Sequence, residues 1–210
     1  MTEREIEIPA NGKTTKGILS VPDEAKGLVL FAHGSGSSRL SPRNTIVARE
    51  LQQAGLATLL MDLLTPEEEA DRVNVFDIDL LAKRLQDTTS WLDQSAEIKD
   101  LTIGYFGAST GAAAALQAAA GLGEKIKAVV SRGGRPDLAM DYLPDVKAPT
   151  LLIVGGDDEP VIGMNQEALT ALRCEKKIEI VPGATHLFEE PGKLEEVARL
   201  ATGWFTKYLK

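Results

Sequence analysis

The sequence predicts an α/β fold: a mainly parallel β-sheet with helices packed on both faces. Three observations carry this. After an opening hairpin, strand-like and helix-like segments alternate. Most strand-like segments are solid apolar runs, and several of them empty into short loops rich in Gly, Ser or charged residues. A parallel strand is covered on both sides by crossover helices, so it reads as a continuous hydrophobic run. No repeat, low-complexity tract or linker interrupts residues 1–210, a length suited to one domain.

In chain order, Arg4 to Ile8 alternates charged and apolar residues as a half-buried edge strand does. Ala10-Asn11-Gly12-Lys13 turns the chain into Thr15–Val21, which completes an antiparallel hairpin. Gly27–Ala32 is the first doubly covered strand, and it ends in His33-Gly-Ser-Gly-Ser-Ser38. Ser41-Pro42 reads as an N-cap with proline at the first helical position, opening a helix to about Ala54. Gly55 ends it, and Leu56–Met61 is the next strand. Asp62 to Asn74 reads as a polar loop, long enough to serve as a movable wall of a site.

Phe76 to Leu92 carries Ile78, Leu81, Leu85 and Leu92 near helical spacing. Leu101–Phe106 is a strand, followed by Gly107-Ala-Ser-Thr-Gly111 and an Ala-rich helix, Ala112 to Ala120. Ile126–Val130 is a strand ending in Ser131-Arg-Gly-Gly-Arg-Pro136, and Asp137–Tyr142 reads as a short helix. Thr150–Val154 is a strand that runs into Gly155-Gly-Asp-Asp158. A helix is predicted from Gly163 to Leu172, then a last strand, Lys177–Val181, and from Pro191 a final amphipathic helix.

Composition narrows the function. A net charge of −8 opposes non-specific nucleic-acid binding, which needs a basic field. The single cysteine, Cys174, cannot form an internal disulfide and sits in no motif. The first residues lack a basic segment followed by an apolar one, and the longest apolar runs are strand-sized. The reading is therefore of a cytoplasmic protein without a membrane segment.

The chemistry centres on Gly107-Ala-Ser109-Thr-Gly111. A Gly-x-Ser-x-Gly run between a strand and a helix has the form of a nucleophile elbow, in which small residues give a strained serine room. A serine hydroxyl needs a base, and the chain has two histidines, His33 and His186. His33 leaves its strand straight into a small-residue loop, where it suits a structural role. His186 follows the last strand and is the predicted general base. Asp157 and Asp158 are candidates to orient it, with Asp158 favoured by its place in Gly155-x-x-Asp158 and Asp137 more remote. Oxyanion donors are predicted at the backbone N–H groups of Thr110, just after the serine, and Ser35, with Gly36 next to it. Arg132 and Arg135 read either as holders of a substrate anion or as partners of the protein's own carboxylates.

Four stretches, Phe31–Ser38, Gly107–Gly111, Gly155–Asp158 and Gly183–His186, together resemble the α/β-hydrolase superfamily, and within it the small dienelactone-hydrolase-like branch. The resemblance runs from about residue 15 to the end. It implies a sheet of about eight strands with the second antiparallel, and no cofactor or metal. The segment between Val130 and Thr150 is too short for a cap domain. The named enzyme is associated with a cysteine nucleophile, whereas this chain has Ser109. The resemblance thus points to a general serine esterase acting on small-molecule esters through Ser109, Asp158 and His186. The alternative is a hydrolase-fold protein that binds a small ligand or partner without turnover.

Overall fold

The computed structural model describes all 210 residues. Its eight strands are β1 (Thr2–Ala10), β2 (Lys13–Val21), β3 (Leu28–Ala32), β4 (Ala57–Met61), β5 (Ile103–Ala108), β6 (Ile126–Arg132), β7 (Thr150–Gly155) and β8 (Lys176–Val181). They make one sheet in the order β1-β2-β4-β3-β5-β6-β7-β8. β2 is antiparallel to both neighbours, and every other pairing not involving it is parallel. Asn11 and Gly12 both take positive φ, 51° and 68°, which a two-residue hairpin turn requires to match strand twist.

The helices are α1 (Pro42–Gln53), α2 (Pro66–Glu69), α3 (Arg72–Val75), α4 (Ile78–Leu92), α5 (Thr110–Leu122), α6 (Glu159–Ala171) and α7 (Lys193–Tyr208). They form two layers. Leu28, Leu30 and Ala32 of β3 join the core beneath α4, α5 and α6, while Val29 and Phe31 join the core beneath α1 and α7. This alternation within one strand explains the solid apolar runs: both faces of the sheet are dry. Alanines fill the inner side of α5, and Ala112 to Ala115 are completely buried. Their small side chains let the helix that follows Ser109 lie close against the sheet.

Three elements depart from the sequence reading. The predicted loop at Asp62–Asn74 contains two one-turn helices. Thr65 and Glu68 form a reciprocal capping box on α2, and Asp71 caps α3. The helix predicted from Gly163 begins at Glu159, because Pro160 occupies the first turn, where a proline forfeits no helical hydrogen bond. The short helix expected at Asp137–Tyr142 is a kinked 3-10 segment spanning Pro136–Asp145. That segment alone bridges β6 and β7, and no cap stands over the sheet.

Candidate active site

The carboxyl ends of β3, β5, β6, β7 and β8 meet on one edge of the sheet, where ligands of open α/β folds gather. Ser109 stands at the end of β5 with φ 50° and ψ −121°, a conformation costly for a residue with a side chain. The surroundings hold it there. Its N–H donates to the Arg132 carbonyl at 3.3 Å, and its own carbonyl accepts from Ala112 and Arg135 N–H, each at 3.1 Å. A Cβ at Gly107 would strike the backbone of Ala112, and one at Gly111 would strike the carbonyl oxygens of Ala32 and His33. Glycine is thus required on both sides of the serine by close backbone approach.

Two of the predicted residues meet directly. His186 Nδ1 lies 2.7 Å from Asp158 Oδ2, with the carboxylate largely shielded and the ring 38% exposed. This bond fixes the tautomer: Nδ1 carries the proton and donates it, and Nε2 is left as an acceptor. Asp158 is the N-cap residue of α6 yet makes no capping bond with its side chain, which is turned to the imidazole instead. Asp157 is exposed; its backbone N–H ties to the Ala184 carbonyl at 3.0 Å. The His186 loop is closed from its far side by Glu190, whose Oε1 accepts from Thr185 N–H at 3.2 Å and from the Thr185 hydroxyl at 2.5 Å.

His186 and Ser109 flank the same turn, Arg132–Arg135. A Cβ at Gly133 would lie 3.5 Å from His186 Nδ1 and 3.0 Å from the His186 carbonyl oxygen. No hydrogen bond joins Ser109 Oγ to the imidazole in this structure.

The predicted oxyanion donors sit side by side. Thr110 is the first residue of α5, so its N–H has no acceptor within the helix. The loop after β3 passes close to Ser109: a Cβ at Gly34 would come to 3.0 Å from the serine Cβ. Ser35 N–H, predicted to be open, is instead engaged, donating to Thr110 Oγ1 at 3.0 Å. Sequence reasoning missed this contact, since nothing in the pattern says where a threonine hydroxyl points.

His33 is buried and away from proton-transfer duty. Nδ1 donates to the Gly34 carbonyl at 2.9 Å, and Nε2 accepts from Leu63 N–H at 3.1 Å. Burial lowers its pKa, which keeps the ring neutral as this bonding requires.

The two arginines separate. Arg135 pairs with Asp137 through two bonds of 2.9 and 2.8 Å, as the plainer sequence reading had it. Arg132 is buried with no carboxylate partner, and its Nε finds no acceptor. Burial, with Arg43 nearby, pushes its pKa down to about 10. A second buried arginine, Arg84, donates to both oxygens of Glu68 at 2.9 and 3.0 Å and so pins α2 to α4. The Thr65-x-x-Glu68 spacing was a readable sign of that cap, though not of its anchor. No cluster of three or more His, Cys, Asp or Glu side chains is disposed to hold a metal ion, and no helix is long and apolar enough to cross a membrane.

The sheet order with its one reversed strand, and the strained serine between β5 and α5, make this an α/β-hydrolase. Comparison with known proteins narrows the class. The chain belongs to the dienelactone hydrolase family, whose model matches residues 16–208. It is similar to the crystal structure of a dienelactone hydrolase from Anabaena variabilis, with a TM-score of 0.97 and 58% identity over 100% of this chain and 99% of that one. Est1E from Butyrivibrio proteoclasticus shares the fold, with a TM-score of 0.83 at 17% identity, covering 97% of this chain and 98% of its own. Proteins of two Mycobacterium tuberculosis strains, named provisionally as phosphoribosyl transferases, are 56% identical over 209 residues. The match covers 100% of this chain but 47% of theirs, so the chain spans about half the length of these relatives.

Proposed function

We propose that this protein is a serine hydrolase that cleaves carboxylic esters through an acyl-enzyme. The observation that carries the reading is the Asp158–His186 bond: it leaves an imidazole Nε2 free to accept a proton beside a strained serine. His186 takes the hydroxyl proton of Ser109 as Oγ bonds to the ester carbonyl carbon, and Asp158 stabilises the imidazolium. The carbonyl electron pair moves onto oxygen, facing the N–H of Thr110, whose side chain holds the Ser35 loop alongside. On collapse the alkoxide leaves and takes the proton from His186. Water, deprotonated by the same imidazole, then releases the acid and restores Ser109. The missing Ser109–His186 hydrogen bond is compatible with this, because such contacts often tighten only when substrate arrives.

The experiment is a panel of p-nitrophenyl esters, thioesters and lactones, together with fluorophosphonate labelling read by mass spectrometry. Turnover and an adduct on Ser109, both abolished in Ser109→Ala, are expected. No adduct on a folded protein would favour the other reading, a ligand-binding member of the fold without turnover.

A further inference from the structure

The stripe that α6 turns to the core is Val161, Asn165 and Ala168, at helical spacing, and its middle member is polar. Asn165 is completely buried. Burying an amide is costly unless it is bonded, and here the bonding is one-sided. Nδ2 donates to the Gly134 carbonyl at 3.0 Å and to the Val161 carbonyl at 2.8 Å, while Oδ1 has no partner. Both acceptors are carbonyls, so only the NH2 end of the side chain can face them. The bond to Val161 stays within the helix. The bond to Gly134 reaches the Arg132–Arg135 turn, and Gly134 is buried, where a carbonyl needs a protein donor.

That turn grips the strained serine at both of its backbone groups. Its first residue supplies the carbonyl that accepts Ser109 N–H, and its last supplies an N–H to the Ser109 carbonyl. Gly133 N–H donates to the Ile153 carbonyl of β7 at 2.8 Å, and a Cβ on Gly133 would meet the His186 ring. A Cβ on Gly134 would strike Ser131 Oγ and the Ala112 side chain, so the turn is tightly seated against the start of α5. We propose that Asn165 is a positioning residue: by fixing the Gly134 carbonyl it sets the turn, and through the turn the posture of Ser109 against His186; this rests on the serine-hydrolase reading above. α6 is also capped by Asp158, so one helix carries both the carboxylate bonded to the imidazole and the amide that braces the serine from the other side.

The test compares wild type, Asn165→Leu, Asn165→Ser and Ala168→Gly by kcat and KM on p-nitrophenyl acetate and by the rate of fluorophosphonate labelling of Ser109, each well below its melting temperature. Leucine keeps the volume and removes both donors. Serine is too short to span to Gly134 but can bond the carbonyl four residues back in its own helix. Ala168→Gly weakens the same helix without touching the turn. Both Asn165 variants should lose roughly 10- to 100-fold in kcat, the scale of a misplacement of about 1 Å, with KM within about twofold. Labelling should slow by the same factor, and the pH midpoint of kcat should not move, since the Asp158–His186 bond is kept. Ala168→Gly should stay within about threefold of wild type on every measure. The positioning role is overturned, while wild type still labels, by wild-type rates in a folded Asn165 variant, by an equal loss in Ala168→Gly, by a displaced pH midpoint with an undiminished plateau, or by failure of both Asn165 variants to fold. Folded wild type that neither labels nor turns over would overturn the hydrolase reading and this one with it.

Discussion

The hydroxyl of Thr110 accepts the Ser35 N–H at 3.0 Å, so the residue after Ser109 grips the loop that follows β3. The bond crosses from the start of α5 to the loop after β3, next to the close backbone approach of Gly111 to the Ala32 and His33 carbonyls.

Thr110→Val removes that grip and leaves the backbone N–H of residue 110 in place. The expected result is a fall in kcat of roughly ten- to a hundredfold, less than the 10²–10³ attached to deleting a donor outright. KM should change little. Thr110→Ser, which keeps the hydroxyl, should recover most of the loss. Equal defects in both variants would show that threonine matters here only for packing.

Asp158 and Asp157 are neighbours in sequence with different surroundings: one is bonded to His186, the other is exposed. Asp158→Asn should lower kcat by about 10⁴, because an amide stabilises the wrong tautomer and no imidazolium. Asp157→Asn should stay within about twofold of wild type, a surface change that leaves the Asp158–His186 bond intact. Both are checked by steady-state kinetics on the same ester.

Acid should weaken the fold through His33. Its folded pKa lies below the ordinary value of 6.5, chiefly through burial. Between the two values the unfolded chain binds a proton that the folded chain refuses, so stability rises with pH across that interval. The contribution is complete above about 6.5 and is lost as pH falls through the folded value. Thermal melts from about pH 7 to 4 should show the advantage of wild type over His33→Gln shrinking on acidification. A gap independent of pH would exclude the mechanism.

Arg132 carries a buried charge without a counter-charge. Arg132→Met, similar in length and apolar, is expected to leave stability unchanged or raise it by about 1–4 kcal/mol, as when other buried charges are replaced by well-packed apolar groups. Denaturant unfolding measures this. A clear loss of stability would mean that the guanidinium is satisfied by something the protein recruits, and matched neutral and anionic esters would then find it.

The sheet was legible because its strands bury both faces: Val29 and Leu30 point into different cores, so no polar residue breaks the run. The elbow was legible because close approach leaves only glycine at positions 107 and 111. Asp158 and His186 followed from the position of strand ends and from the scarcity of histidine. What escaped the reading depends on side-chain direction or on residues distant in sequence. The two short helices at Asp62–Asn74 owe their persistence to Arg84, sixteen positions beyond Glu68, inside a helix whose spacing revealed only its apolar stripe. The Ser35–Thr110 bond spans 75 positions and has no local signature.

The order of strands has a further consequence for how the molecule wears out. β8 is the outermost strand, paired on one side alone, and most of its side chains are only partly covered. The segment bearing His186 hangs from its end. Fraying at that rim requires far less than melting the central strands. Under gentle heating the imidazole would drift from Asp158 while Ser109, seated at the middle of the sheet, kept its posture. On the proposed mechanism, loss of turnover would then precede loss of structure, and cooling would restore it.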